Sequence, residues 1–360
     1  MAHPIEVCED RSAWDEFVLT SGGHPLQLWG WGEAKAAHGW RVERVLVRAG
    51  SDGGANGGAG GGPVGGAQVL LRPLPFPLKS LAYVPRGPVG AEPGRLAVLD
   101  AVAEHVRRTH SSVALTVEPD WEQLPTGATS SGWRRSDNTI LIPRTLILDL
   151  TRDEDELMKA MAKKTRQYIR KSAREDLDVR AVTAPAELEA CLAVYRDTAE
   201  RAGFGLHADG YYRDVARMLG EHSPVFAAFS GGSPVAFVWL AASAETAFEL
   251  YGGMTDEGQR LRANYALKWH AIRAIRERGV RRYDVNGLLN DGISHFKEGF
   301  ADHEDLLAGT WDRPLSPWYA VWDRGLPLAR RALRGAADAR VLASYRFARL
   351  RRRVGRSEAA

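Results

Sequence analysis

The feature that most constrains the fold is an order of elements that occurs twice along the chain. In the first half, strand-like runs at 41–48 (RVERVLVR) and 67–73 (AQVLLRP) are followed by LAYVPRGPVG (81–90). An amphipathic helical segment from about Gly94 to Thr109 and the strand VALTVEP (113–119) come next. The second half repeats the pattern with VFAAF (225–229), VAFVWLAA (235–242) and TAFELYGG (246–253). A helix from about Arg262 to Arg278, closed by Gly279, then leads into VRRYDV (280–285). Apolar runs bounded by Gly and Pro suit strands, and a three-to-four-residue apolar repeat suits helices. Two copies of one layered α/β unit are therefore predicted. The 360-residue length, about twice that of an ordinary domain, accommodates them.

Composition removes several other classes. With 44% hydrophobic and 26% charged residues, the chain is neither disordered nor collagen-like. Two cysteines, Cys8 and Cys191, are too few for a disulfide framework or a zinc pattern and suit a reducing compartment. The start, MAHPIEVCEDRSAWDEF, has no basic-then-apolar leader, which points to the cytoplasm. Val225–Ala244 is uncharged over 20 residues, the length of a membrane span, but Gly231-Gly232-Ser233-Pro234 interrupts it. Those residues make turns, so a hairpin of two buried strands is expected. Residues 50–66 hold ten glycines and read as a flexible loop. The Gly60-x-Gly62-x-x-Gly65 within it precedes a strand, so no helix N-terminus is at hand for a dinucleotide.

Charge is unevenly placed. Ten Arg against Asp338 and Glu358 give residues 330–360 a net +8, so the preceding 329 residues carry −5 of the overall +3. This Arg-rich tail, expected to be helical, is either a solvated terminal segment or a polyanion-binding one suited to RNA, anionic lipid or an acidic partner. A second basic run lies between the halves, in TRDEDELMKAMAKKTRQYIRKSARED. Thr151 with Glu154 three residues on reads as a capping box, and the acids at 153–156 favour a helix start. Leu157, Met161, Tyr168 and Ile169 suit its buried stripe, while Lys159, Lys163, Arg166, Arg170 and Arg174 fall on another face. Seven basic and no acidic side chains occur from Lys159 to Arg174. That run is either a solvated face or, since like charges repel across i,i+4, a site that a polyanion relieves.

Common catalytic signatures are missing: no Gly-x-Ser-x-Gly, no Gly-Lys-Ser/Thr phosphate loop, no His-Glu-x-x-His. The ten histidines are scattered, so no metal is expected. The element order suggests an acyltransferase of the acetyl-CoA (GNAT) type. In that type a glycine-rich turn holds the CoA pyrophosphate on backbone amides at a helix N-terminus. Here the turn reads Gln259-Arg260-Leu261-Arg262-Ala263-Asn264, without glycine, and the Arg262 side chain would obstruct a phosphate approaching the backbone.

Six ordered segments then carry a family resemblance: LQLWGWGEAKAAHGW (26–40), YVPRGPVG (83–90), VEP (117–119), ELYGG (249–253), RRYDVNG (281–287) and SHFKEGF (294–300). Together, over about residues 26–310, they resemble the FemABX peptidyltransferases. The resemblance implies tandem GNAT-like domains with mixed sheets flanked by helices. It also implies transfer of an amino acid from aminoacyl-tRNA to an amine of a peptidoglycan precursor, with no metal and no cofactor. Lys35, with Trp31 beside it, matches the lysine meeting the pyrophosphate of the nucleotide-sugar acceptor, and Tyr211 and Tyr251 match tyrosines lining that acceptor. Glu118 stands where the family commonly has Asp near the acceptor amine. Phe296 and Lys297 match the pair near the aminoacyl ester. His207 stands where an arginine is common, and an unperturbed histidine titrates near 6.5, so a diphosphate there is held less firmly.

An ester is already activated, so aminolysis needs a neutral amine in line with the carbonyl and a positive group near the oxyanion. Lys297 suits the second need, and Glu118 suits orientation or deprotonation of the amine. Lys159, Lys163, Arg166, Arg170 and Arg174 would hold tRNA phosphates without reading sequence. The expected layout is residues 1–148 with a returning segment at 309–329, then 149–308, then the Arg-rich tail at 330–360. The acceptor is UDP-MurNAc-pentapeptide, lipid II or a small peptide-like metabolite. The expected location is the cytoplasm or the inner face of the membrane, held there through the tail. Two alternatives stay open: an acyl-CoA-dependent N-acyltransferase, and a non-catalytic module binding tRNA or a membrane surface.

Overall fold

The computed structural model describes residues 3–50, 62–288 and 292–325, so the tail at 330–360 lies outside the described residues. Two sheets form. The first runs in the order Ile5–Val7, Arg41–Val47, Gly65–Pro73, Ser80–Pro85, Ser112–Glu118, Trp311–Pro314, Arg134–Arg135, with Val89–Gly90 beside Gly65–Pro73. The second runs Asp178–Ala181, Val225–Ser230, Ser233–Ala242, Thr246–Met254, Arg282–Asp284, Ile147–Asp149. Each contains one parallel pair bridged by a helical crossover, which in the second sheet begins with the short helix Asp256–Leu261. Ser80–Pro85 and Ser112–Glu118 are joined through Arg95–Thr109, and Thr246–Met254 and Arg282–Asp284 through Ala263–Glu277. Parallel neighbours require such a crossover, which is why the element order repeats. The two helices lay Val98, Leu99, Val102, Ala103 and Val106, and Leu267, Ala271, Ile272 and Ile275, on their sheets.

The uncharged 225–244 stretch is a hairpin, turned at Gly231 and Gly232 with φ of 55° and 81°, a region closed to most side chains. Among the described residues no helix is long and apolar enough to cross a membrane. The chain returns to the first sheet at Trp311–Pro314, antiparallel to Ser112–Glu118. Ile147 and Leu148 pair with Asp284 and Tyr283 in the second sheet.

The basic connector differs from a single helix. It forms Glu154–Ala160 and Lys163–Ser172, with a break at Met161 and Ala162. The capping box is Asp153 with Glu156, two residues later than the Thr151–Glu154 reading. Thr151 instead donates to the Asp149 carboxylate, which keeps it in the preceding turn. At the break Ala162 N–H donates to Gly299 O, and the Arg166 guanidinium closes the first helix on the carbonyls of Met158, Lys159 and Met161. A tertiary contact and a side-chain cap thus replace the helical bonds that would have run through.

A third core joins the halves. Trp14, Phe17, Leu26, Leu28 and Trp31 pack with Cys191, Tyr211, Val215, Trp239 and Phe248. Helices Trp29–Ala36 and Asp209–Leu219 cross so closely that a Cβ on Gly30 would stand 2.2 Å from Met218 O, so only glycine fits. Asp120, just beyond the first sheet, pairs with Arg282 of the second at 2.8 Å.

Candidate functional site

The strand Thr246–Met254 creates the site by losing its neighbours. It pairs with Arg282–Asp284 only through Phe248. On its other side the register with Ser233–Ala242 slips between Tyr251 and Glu249, leaving Leu250 as an extra residue. A bulge bends and twists a strand, so beyond Phe248 the sheet splays. A cavity of about 650 Å³ fills the opening, with Glu249, Tyr251, Asn264, Lys268, Phe296 and Lys297 among its walls.

Lys297 stands on the short helix Gly292–Glu298 and donates to the carbonyls of Asn286 (2.5 Å) and Gly287 (3.3 Å). Both carbonyl residues have positive φ, 53° and 66°, which turns the loop toward the lysine. Phe296 meets Tyr265 edge-on at 4.9 Å between ring centres, and Tyr265 meets Tyr168 of the basic helix at 5.0 Å. Lys159, Lys163, Arg170 and Arg174 are exposed, whereas Arg166 is half-buried in its capping role.

Across the cavity, Tyr251 leads into a second cluster at the junction of the halves. Its hydroxyl donates to the Tyr211 oxygen (3.4 Å), which also accepts from the Lys35 ammonium (2.6 Å). Lys35 lies over the Trp31 ring at 4.5 Å, and His207 stacks on Tyr211 at 4.0 Å between ring centres. The fold therefore brings Trp31, Lys35, His207, Tyr211 and Tyr251 together, although the chain separates the first from the last by most of its length. Burial, with the Arg72 charge adding to it, lowers the Lys35 ammonium to about 8. Burial pushes the Tyr211 phenol up to about 12, so it stays neutral at physiological pH. Desolvation, then the charges of Lys35 and His38, hold His207 below its usual value, so it is mostly neutral near pH 7. The Trp31 indole N–H is buried without a partner among the described residues, an open donor beside the cation.

Glu118 is not brought to this place. It is buried, and its carboxylate accepts from Tyr83 OH, Ile140 N–H, Leu141 N–H and Thr310 OH at 2.5–2.9 Å, which pins the loop before residue 142 to the first sheet. Four donors fill its acceptor sites. Glu249 is instead a carboxylate in the cavity wall, paired with Lys268 at 2.7 Å and accepting from Tyr283 OH at 2.8 Å. Lys268, on the buried side of its helix, lies over Phe296 and Phe300 at 5.2 and 5.4 Å. Asn286 donates its amide to Glu249 O. Glu249, Tyr283 and Asn286 stood inside the ELYGG and RRYDVNG segments without an assigned role. The signal for Lys268 was a lysine on the apolar stripe of a helix, which needs a buried partner.

The turn at 259–264 keeps its side chains. Arg262 adopts a left-handed φ of 54° between the helices Asp256–Leu261 and Ala263–Glu277, with its guanidinium over Tyr168 at 4.7 Å.

Residues 159–298 match the family profile described as Acetyltransferase (GNAT) domain. The chain is an acyltransferase-fold protein built as a tandem of GNAT-like units. Its whole-chain fold is that of the crystal structure of FemX, with a TM-score of 0.75 at 18% identity over 88% of this chain and 99% of that one. A conserved protein of unknown function from Bacteroides thetaiotaomicron is also similar, with a TM-score of 0.55 at 13% identity over 86% and 98% of the two chains. The resemblance to FemABX peptidyltransferases is thus met at the level of the fold. A comparison with curated protein sequences finds no match.

Proposed function

We propose that this chain is an aminoacyltransferase that moves an amino acid from aminoacyl-tRNA to an amine, forming a peptide bond. The observation that carries the reading is a pair of linked clusters: Tyr251 and Lys297 line one cavity, and the Tyr251 hydroxyl donates to Tyr211, which accepts from Lys35 beside Trp31. The turn at 259–264 has no glycine and carries Arg262 at left-handed φ. Lys35, Trp31, His207, Tyr211 and Tyr251 bind the acceptor, with Lys35 as the cation for its anionic part. The acceptor is UDP-MurNAc-pentapeptide, lipid II or a smaller peptide-like amine, and the work is done on the cytoplasmic side. Lys159, Lys163, Arg170 and Arg174 hold tRNA phosphates, and Arg166 sets their helix.

The neutral amine attacks the ester carbonyl, the C–N bond forms, and the carbon–oxygen bond to the ribose breaks. The attacking nitrogen gives up one proton and the departing ribose oxygen takes one up, so the products are the amide and a free ribose hydroxyl. Lys297, held by two carbonyls, faces the oxyanion, and Phe296 flanks the ester. Glu118 has its acceptor sites filled, so it braces the first unit. Glu249, in the cavity wall, is the carboxylate that orients the incoming amine in this reading. The domain layout of this reading is residues 1–148 with 309–329, then 149–308, then the Arg-rich tail at 330–360.

The test is to incubate the protein with a pool of charged tRNAs and candidate amines and follow the labelled amino acid. Lys297→Ala should lose transfer by a factor on the order of 10²–10³, the usual effect of removing an oxyanion donor, while tRNA binding stays unchanged. Normal turnover by that variant refutes the role. The match to an acetyltransferase domain favours one competing donor, and calorimetry with acetyl-CoA addresses it: tight binding would replace this reading with an acyl-CoA-dependent one.

A further inference from the structure

Glu43, His105 and His110 meet where the crossover helix Arg95–Thr109 ends against the strand Arg41–Val47. Alternation along the strand puts Glu43 on the face that carries Val45 and Val47, and these two share a core with Val102 and Val106 of the helix. His105 is in the last turn of that helix. A five-residue step would carry His110 to another face of a continuing helix. The helix stops at Thr109, however, and His110 takes extended backbone, with φ of −124° and ψ of 138°. Both imidazoles therefore reach one atom: Glu43 Oε2 lies 2.9 Å from Nε2 of His105 and 2.7 Å from Nε2 of His110. The three side chains are 12–19% exposed, and their ligand-type atoms all lie within 4.8 Å of one another. None of the three lines the cavity at Tyr251 and Lys297.

We propose that Glu43, His105 and His110 bind one zinc ion, which ties the end of the crossover helix to the neighbouring strand. Two imidazole nitrogens and one carboxylate oxygen, with a fourth position left to water, are a donor set that zinc accepts. Magnesium and calcium prefer oxygen throughout. A neutral imidazole offers Nε2 once its N–H is carried on Nδ1, so coordination needs a change of tautomer in each ring, and a charged ring releases its proton. Bonds of about 2.0–2.2 Å place tetrahedral ligands about 3.4 Å apart, so the two short contacts open by about half an ångström. The terminal carbonyls of the helix favour a cation at this end. The neighbouring guanidiniums of Arg107 and Arg108 are already paired with Glu104. In the sequence the histidines look scattered because the third ligand is a strand residue more than sixty positions earlier. The site does not depend on the donor used for transfer.

The test takes the full chain, stripped with EDTA and returned to metal-free buffer, and titrates it with zinc, cobalt(II) and magnesium by calorimetry. The expected result is one zinc per chain, the visible absorption of tetrahedral cobalt, no magnesium binding, and a thermal midpoint that rises with zinc concentration. His105→Gln with His110→Gln should weaken zinc binding by a factor on the order of a hundred or more, since even an outer partner of a metal ligand is worth about 10–100-fold. Without zinc, the thermal midpoint of this variant should stay near that of the wild type, because a glutamine amide can still donate to Glu43. Bound zinc should also shield His105 and His110 of the wild type from diethyl pyrocarbonate, read by mass spectrometry, a result that needs no variant to fold. His303→Gln, which alters a histidine beside Asp302 and Asp305, should bind zinc like the wild type. The proposal is overturned if the wild type takes up no zinc, or if the double variant binds it as tightly. It is also overturned if zinc shields other histidines and leaves these two open.

Discussion

Replacing Lys268 by methionine tests how the cavity wall is held. The two side chains have similar length and volume, so the substitution removes charge with little change in packing. Lys268 and Glu249 are 5% and 8% exposed and 2.7 Å apart, so Lys268→Met leaves a buried carboxylate whose remaining side-chain partner is Tyr283. Breaking a buried pair from one side costs about 3–5 kcal/mol. The retained Tyr283 bond argues for the lower end, about 3 kcal/mol. Glu249→Gln alone should cost a similar amount, because it strands the ammonium. The double variant keeps a Gln oxygen for Tyr283 and no unpaired charge, so it should be less destabilised than the sum of the singles, by on the order of 2 kcal/mol. Urea unfolding followed by tryptophan fluorescence measures all four corners of this cycle. Since Lys268 also lies over Phe296, transfer should slow even below the unfolding transition. The reasoning fails if Lys268→Met unfolds within about 0.5 kcal/mol of wild type at an unchanged denaturant slope, or if the two single costs add.

Two further outcomes concern pH. The Lys35 ammonium, lowered to about 8, is charged below that pH and neutral above it, so kcat/KM for an anionic acceptor should fall about tenfold per pH unit on the alkaline side. Lys35→Arg should abolish that limb, and an unchanged profile would remove Lys35 from acceptor binding. His24, buried and lowered to about 3, binds a proton in the unfolded chain before it does in the folded one. Its contribution is present above about pH 6.5 and is lost as pH falls from there toward 3, at up to about 1.4 kcal/mol per unit. His24→Asn keeps an acceptor for the Leu26 N–H and should flatten that acid limb in thermal melts. An identical acid limb would assign it to other groups.

Local structure and residue types were written along the chain. Apolar periodicity and Gly/Pro punctuation act over a few residues, so the hairpin at Gly231–Gly232, the two crossover helices and the repeated strand order are legible in the sequence. The ordered segments contain Trp31, Lys35 and Tyr251, and the family resemblance added His207 and Tyr211; these five do meet in space. Which partner each charge finds was set by long-range packing alone. Glu118 and Glu249 are both carboxylates in strands. One is enclosed by the hydroxyls and amides of Tyr83, Ile140, Leu141 and Thr310, and the other opens on the cavity beside Lys268. Likewise, a basic run reads as one helix until Gly299 O takes the Ala162 N–H and Arg166 caps the turn before it. Burial, desolvation and hydrogen-bond satisfaction depend on atoms distant in the chain, and no local pattern encodes which of them arrive.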